Sequence, residues 1–340
     1  MPVNGLLSAC QSKRKRSSIV KDSHYPADLQ KMKFKSTCIQ ISIYFARFNK
    51  SNTFMPAIRG ALTMDKQPPI PKQPSSVEHD LFMEWMKWLQ VNRPDHGFMY
   101  DGIVCKADWD PARKHILLIL KDYNEKGKRE TLQSLDLDSE NERKKLFNLR
   151  SHLRWNIGKP RKWRTWDNAA RWVYGLLNSE IGKYPSFDEA DRQGDHKHRT
   201  VNLRKVAVVD VKKSPGKSSC NKSQLKRYFK ENPESYSFLS RQIALYGKLD
   251  IIICCGDGLF DIFKEIAKKE PLKSSVRPFI SETTDYLITQ EGTIVVNFIH
   301  PLLLQKGINK EKAYNSLMKT VQSALKEISG KLLPDERRLM

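Results

Sequence analysis

The chain has few cysteines, and their spacing does not suit a metal site or a disulfide framework. The six cysteines include no C-x-x-C pair, and no histidine stands at zinc-ligand spacing from two of them. They also form no set of four that suits an iron-sulfur cluster. We therefore expect no metal and no other cofactor.

Long apolar runs are missing as well. No stretch approaches the roughly 20 apolar residues that span a bilayer, and the N-terminus lacks an apolar region followed by a small-residue cleavage site. We therefore expect a cytoplasmic protein that has no association with a membrane.

Acidic residues are scarce relative to basic ones. The chain has 60 Lys and Arg against 38 Asp and Glu, which gives a formal net charge of +22. Such a charge favours a polyanionic partner, and nucleic acid is the commonest. A soluble basic protein without such a ligand is the other interpretation.

The basic excess begins in the N-terminal segment. Residues 1–74 show no sustained periodicity and lead through the proline-rich stretch KQPPIPKQP. This composition predicts a basic, largely unfolded arm and linker, or a segment upstream of a start at Met64. We place a catalytic domain at residues 75–330 and a tail at residues 331–340.

The folded domain is predicted to begin with a helix. Ser75 and Glu78 have the spacing of a capping box. The apolar residues that follow at helical spacing are Val77, Leu81, Trp85, Trp88 and Leu89.

Beyond this helix, short continuous apolar runs alternate with helical patterns. Such runs are typical of buried parallel strands. The four runs are HILLIL (115–120), KVAVVDV (205–211), DIIICC (250–255) and TIVVNFI (293–299). Helices are predicted from Trp166, from Pro233 with Asn232 as cap, and from Gly258. The alternation predicts an α/β fold, a three-layer α/β/α sandwich with a central, mostly parallel sheet.

Ligands of such sheets bind beyond the carboxyl ends of the strands. The four predicted strands end in KDYNEKG (121–127), DVKKSPGKSS (210–219), CCGDG (254–258) and HPLLLQKG (300–307). In this order and in these strand contexts, the motifs resemble those of the uracil-DNA glycosylase superfamily, over about residues 76–328. The resemblance implies a monofunctional DNA glycosylase, a hydrolase that flips a base out of DNA and leaves an abasic site.

The resemblance assigns roles to the last motif. His300, fixed by Pro301, would donate to the base O2 as that oxygen becomes anionic. The alternative is a structural histidine that caps the sheet. Leu302, Leu303 and Leu304 would supply the wedge that holds the extruded nucleotide out of the duplex, or they continue the core.

The first motif supplies the residue that activates water. Asp122 is the preferred candidate, with Asn124 and Glu125 as alternatives. The family usually has a glycine near this position and a Pro-Tyr after it, whereas here Lys121 precedes Asp122 and Tyr123 follows it directly. This departure leaves open which residue acts, and whether Tyr123 in the base pocket excludes bases with a 5-substituent.

The second motif suggests which base is read. Asp210 stands where uracil-reading members generally have asparagine, and an ionised carboxylate cannot donate to O4 of uracil. It can accept from the N4 amino group of cytosine. Because an enzyme that removed ordinary cytosine would destroy its host's DNA, a modified cytosine is the expected substrate. The alternative is that Asp210 merely pairs with Lys212 or Lys213.

Two further segments are predicted to contact DNA. A nucleotide-binding phosphate loop is disfavoured, since Val211 stands where that motif needs glycine. The second motif instead offers groups that suit DNA phosphates, namely Lys213, Ser214, Gly216, Lys217 and Ser218. Trp163 and Trp166 are candidates to stack on the extruded base, with packing as the alternative, and Trp172 is predicted to lie in the core.

Together these patterns predict a monomeric enzyme that excises a modified cytosine, such as the hydroxymethylated or glucosylated bases of phage DNA. Excision of such bases would then serve antiviral defence. Uracil or damaged-base excision in DNA repair is the enzymatic alternative, and a catalytically silent DNA-binding module of the same fold is the other.

Overall fold

A computed structural model of the chain describes residues 76–121, 130–156, 158–160, 162–214, 221–302 and 308–336. Backbone contacts divide the chain into Met1–Pro69 and Ile70–Met340, and all of the described residues belong to the second unit. The predicted arm and linker over residues 1–74 lie outside the described residues.

The main sheet is mixed, with a parallel centre. The strands of the described residues are β1 (Met99–Tyr100), β2 (Gly102–Ile103), β3 (Ile116–Leu120), β4 (Phe147–Asn148), β5 (Val206–Asp210), β6 (Ile251–Cys255), β7 (Phe279–Glu282), β8 (Tyr286–Thr289) and β9 (Ile294–Phe298). Seven of these form one sheet in the order β2-β5-β3-β6-β9-β8-β7, and β1 pairs with β4.

Strands β5, β3, β6 and β9 run parallel to one another, and the outer strands β2, β8 and β7 pair antiparallel. The predicted α/β class with a mostly parallel central sheet is therefore confirmed.

The four predicted apolar runs are the four parallel strands. Every residue of β3, β5 and β6 is buried, as expected for strands that are covered on both faces. The outer strands β2, β7 and β8 were not predicted. They are two to four residues long, shorter than the apolar runs of the parallel strands, and the burial of β7 alternates between partly buried and exposed residues.

Helices connect the strands. Within the described residues they are α1 (Ser76–Asn92), α2 (Lys106–Trp109), α3 (Glu140–Arg143), α4 (Leu149–Ser151), α5 (Arg164–Leu177), α6 (Phe187–Arg192), α7 (Arg199–Leu203), α8 (Lys222–Glu231), α9 (Glu234–Ala244), α10 (Leu259–Ile266), α11 (Leu272–Val276) and α12 (Lys310–Glu336). A 3-10 turn spans Leu132–Ser134, and a π-type turn spans His152–Asn156. None of the described helices is both long enough and apolar enough to cross a membrane.

The predicted helix starts need correction at two places. Asn232 closes α8, where its side-chain amide donates to the carbonyl of Tyr228, and Pro233 caps α9 instead. Val77 is 59% exposed, because α1 turns its other face to the core. Glu78 is buried and accepts a hydrogen bond from Arg150 at 2.7 Å. The other half of the predicted capping box, Ser75, lies outside the described residues.

The sheet separates two hydrophobic cores. Alternate residues of each parallel strand point to opposite faces, so Leu117 and Ile119 join the core under α1, α8, α9 and α10. Ile116, Leu118 and Leu120 join the core under α5 and α12. Both Trp166 and Trp172 lie in this second core, because α5 buries a face wide enough to hold residues that are six apart.

A buried ion pair holds the end of β5. Both carboxylate oxygens of Asp101 accept from the Lys213 ammonium group, and neither side chain has any exposed surface. Asp101 also accepts from the Gln242 side chain at 2.7 Å and from the backbone N–H of Asp210 at 2.8 Å. Burial holds the pKa of Lys213 below its usual value, although the Asp101 carboxylate acts in the opposite direction.

We expect Lys213→Met to lower the free energy of unfolding by roughly 3–5 kcal/mol, since the variant leaves the Asp101 carboxylate buried without its ammonium partner. The double variant Asp101→Asn, Lys213→Met should lose less than the sum of the two single variants. Urea denaturation measures each value. As a control, Lys106→Met breaks the exposed Lys106–Asp110 pair and should cost at most about 1 kcal/mol. Equal losses in the buried and the exposed pair would contradict this account.

Candidate active site

The four parallel strands end at one edge of the sheet. Leu120 at the end of β3 pairs in register with Asp210 of β5, and Cys255 of β6 pairs with Phe298 of β9. Strand β5, which comes next in the main sheet after β3, lies on one side of β3, and strand β6, which follows β5, lies on the other side of β3. The crevice between β3 and β6 is therefore a topological switch point, where sheets of this kind bind ligands.

His300 lies two residues beyond the end of β9 and is partly buried. Its Nδ1 accepts a hydrogen bond of 3.1 Å from the backbone N–H of Leu302. Because an imidazole nitrogen that accepts a hydrogen bond carries no proton, the proton of the neutral ring lies on Nε2. His300 therefore presents an N–H donor.

The ring of His300 stays neutral over a wide pH range. Burial, and after it the charge of Lys121, lower the pKa of His300 to about 4. At neutral pH the side chain can therefore donate a hydrogen bond without carrying a charge.

Lys121 and His300 meet at Gly256. A β-carbon built on Gly256 would lie 3.3 Å from Cε of Lys121 and 3.8 Å from Cβ of His300. The backbone of Gly256 also has φ +132°, which disfavours a side chain. Gly256 lets the residues that follow β3 and β9 pack against the first residue after β6.

A buried asparagine anchors the His-Pro segment. The side-chain amide of Asn168 on α5 donates to the carbonyl of Pro301 at 2.6 Å, and its Oδ1 accepts from Arg171 at 2.6 Å. Arg171 in turn pairs with Asp191 at 2.7 Å. The sequence prediction missed Asn168, although an amide on the apolar face of a helix indicates a specific hydrogen-bonding task.

Asp210 ends β5 on the same face of the sheet as Val206 and Val208, towards the second core. It is 1% exposed, and its negative charge acts on Lys213 and on the thiol of Cys255. The ammonium group of Lys213 is bonded to Asp101. The Asp210 carboxylate is therefore enclosed by the protein in this structure.

The predicted phosphate contacts are corrected at two residues. Lys213 has no exposed surface and pairs with Asp101, and Ser214 is also buried. Side chains enclosed in this way do not grip DNA phosphates. Gly216, Lys217 and Ser218 lie outside the described residues.

Three tryptophans near the start of α5 differ in how far their side chains are exposed. Trp166 is buried in the core under α5, so the prediction that it stacks on a base is wrong. Trp163 is half-buried and packs edge-on against His152, with ring centroids 5.0 Å apart. Trp155, which the sequence prediction did not consider, is 42% exposed in the π-type turn. It follows Arg154 directly, and a basic residue beside an aromatic one is the sequence signal that could have singled it out.

Other predicted site residues are described in part. Pro301 is buried and Leu302 is half-buried. The candidates that lie outside the described residues are Asp122, Tyr123, Asn124, Glu125, Leu303 and Leu304.

The described residues contain no group of three or more His, Cys, Asp or Glu that could hold a metal ion. Cys254 and Cys255 at the end of β6 are buried free thiols, and burial raises the pKa of both. The chemistry of the described part of the crevice is therefore that of a neutral imidazole, an ammonium group and a carboxylate.

We expect His300 to titrate at about pH 4, and NMR of the imidazole resonances, assigned with His300→Gln, measures this value. Because this pKa lies below the unfolded value of about 6.5, protonation favours the unfolded chain. The contribution to stability is complete above about pH 6.5 and is lost as the pH falls towards 4. A titration near pH 6.5 would show that the ring is solvated and would contradict the geometry.

We expect Asn168→Ala to lower the free energy of unfolding by about 1–3 kcal/mol, because the buried Pro301 carbonyl loses its donor. It should also speed hydrogen exchange of the Leu302 amide, which is bonded to His300. The control is Asn178→Ala at the other end of α5, where an exposed amide donates to the carbonyl of Tyr174. If Leu302 exchanges at the same rate in both variants, Asn168 does not anchor the segment.

Comparisons of the chain with family models, curated proteins and solved structures found no significant match. The resemblance to uracil-DNA glycosylases therefore depends on the chain's own motifs. The strand ends that carry those motifs lie together at one edge of the sheet.

Proposed function

We propose that the protein is a monofunctional DNA glycosylase related to the uracil-DNA glycosylase superfamily, and that it excises a modified cytosine. The observation that carries the proposal is the neutral imidazole of His300. It presents an Nε2–H donor at the edge where β3, β5 and β6 also end.

The proposed reaction needs such a donor. When the bond between C1′ and the base nitrogen breaks, its electron pair goes to the base, and negative charge collects on the base O2. A fixed donor aimed at this oxygen stabilises the transition state by a few kcal/mol. A ring with a pKa of about 4 keeps its single donor at neutral pH.

Water completes the reaction. Its oxygen bonds to C1′, and a group that follows β3 in the sequence positions it, with Asp122 preferred and Asn124 and Glu125 as alternatives. A carboxylate in this role also takes the proton of the water, whereas with Asn124 the proton would pass to solvent. Strand β3 ends at Leu120, which pairs in register with Asp210, and these candidates follow soon after it in the sequence.

Asp210 supports a cytosine-type base. Three strand spacings separate β5 from β9, roughly 14 Å between backbones, and a base that contacts both Asp210 and His300 would have to bridge this span. An ionised carboxylate accepts from the N4 amino group of cytosine, whereas it repels O4 of uracil. The burial of Asp210 would strengthen the discrimination, since the interaction of a carboxylate with a base oxygen or amino group is screened little away from water.

Features of the fold and of the sequence support the proposal. The two cores on opposite faces of the sheet, under α1, α8, α9 and α10 and under α5 and α12, support a three-layer α/β/α sandwich. The net charge of +22 supports DNA as partner. Leu302 begins the apolar segment that would fill the space of the extruded base. Phage DNA with hydroxymethylated or glucosylated cytosine is the proposed target.

We expect the wild-type protein to form alkali-labile sites in DNA that contains hydroxymethylcytosine or glucosylated cytosine. His300→Ala should lose excision by at least about 10²-fold, while salt-sensitive DNA binding stays within about twofold. The matched control is His198→Ala, a surface histidine bonded to Asp195. If the wild type binds DNA yet forms no abasic site in any of these substrates or in uracil DNA, a silent binding module is the better account.

We expect Asp210→Asn to shift preference from cytosine-type bases towards uracil, because the amide can donate to O4 while it retains the shape of the carboxylate. The ratio of kcat/KM for the two substrates measures the shift. If the ratio is unchanged in a folded variant, Asp210 does not read the base.

A further inference from the structure

Lys121 occupies an unusual position in the crevice. It is the first residue after β3, and its side-chain stem lies on Gly256, next to the same position that Cβ of His300 approaches. Its positive charge lowers the pKa of His300. The ammonium group therefore lies in the same part of the crevice as the imidazole.

Backbone pairing fixes this position. The carbonyl of Lys121 accepts from the N–H of Lys212 at 3.1 Å, and the N–H of Gly256 donates to the carbonyl of Phe298 at 2.7 Å. The ladders between β3 and β5 and between β6 and β9 thus continue past the ends of the strands.

The two donors differ in what they supply. A neutral imidazole gives a directed hydrogen bond without net charge, and an ammonium group gives a full positive charge. A departing nucleobase carries a full negative charge.

Among the described residues, other charged groups near these strand ends are Asp210, Lys212 and Asp257. The Asp257 carboxylate lies 3.9 Å from the ammonium group of Lys222.

We infer that Lys121 is a further catalytic residue, whose ammonium group forms with the Nε2–H of His300 a two-donor anion site for the departing base. The inference rests on the proposed function. The electron pair of the broken glycosidic bond moves to the base. The Lys121 ammonium group balances the resulting negative charge without forming a covalent bond, and the base anion later takes a proton from solvent.

The test uses Lys121→Met and, as matched control, Lys222→Met. Both variants remove one positive charge near the end of β6, but Lys222 packs on Gly258 and pairs with Asp261 at 3.2 Å. Single-turnover excision at saturating protein is measured on several cytosine derivatives, whose 5-substituents make the base a poorer or a better leaving group. DNA affinity and the NMR titration of His300 are measured in parallel.

For Lys121→Met we expect a rate loss of about 10²-fold on the poorest leaving group, a smaller loss on better ones, and DNA affinity within about twofold. The pKa of His300 should rise, because a neighbouring positive charge is gone. Lys121→Arg should recover part of the rate, since it restores the charge. Lys222→Met should retain the rate and its dependence on the leaving group.

Three results would overturn the inference. One is a rate loss that is equal for all leaving groups, which indicates a structural role. Another is a loss that appears only in DNA affinity, which indicates a phosphate contact. The third is trapping of the wild type, but not of Lys121→Met, on abasic DNA by borohydride, which indicates an amine nucleophile. Absence of excision by the wild type would instead refute the proposed function itself.

Discussion

The burial of four parallel strands on both faces is the constraint on which the rest of the structure depends. Every residue of β3, β5 and β6 is enclosed between two apolar cores. Polar side chains on such a strand are restricted to its ends, because an unpaired polar group buried in the middle would cost several kcal/mol. Since parallel strands end together, their polar residues gather at one edge.

Burial then decides what those polar residues can do. At the end of β5, the Asp101 carboxylate and the Lys213 ammonium group compensate each other inside the protein. At the end of β9, burial and Lys121 keep His300 neutral. The first arrangement uses charge to hold a strand end in place. The second suppresses charge and leaves a donor, which suits the proposed role of the imidazole in stabilising an anion.

The positive charge of the chain is distributed between structure and surface. Sequence composition treats all 60 basic residues alike. In the fold, the guanidinium of Arg199 is buried against Asp167, and Lys213 is enclosed completely. Lys121 lies in the crevice, and Lys222 pairs with Asp261 at the surface. A net charge predicts attraction to a polyanion, but each side chain's surroundings decide whether it can touch one.

The sequence by itself determined the parallel strands and the positions where they end, because a continuous apolar run that ends in a charged or glycine-bearing segment reports burial directly. It therefore located Asp210 and His300 at strand ends. Only the tertiary structure decided the environment of each residue. Trp166 entered the core, Lys213 turned inward to Asp101, and Asn168 came to hold the Pro301 carbonyl from a helix 133 residues away in sequence. Such contacts depend on which elements pack together, and no local pattern records that.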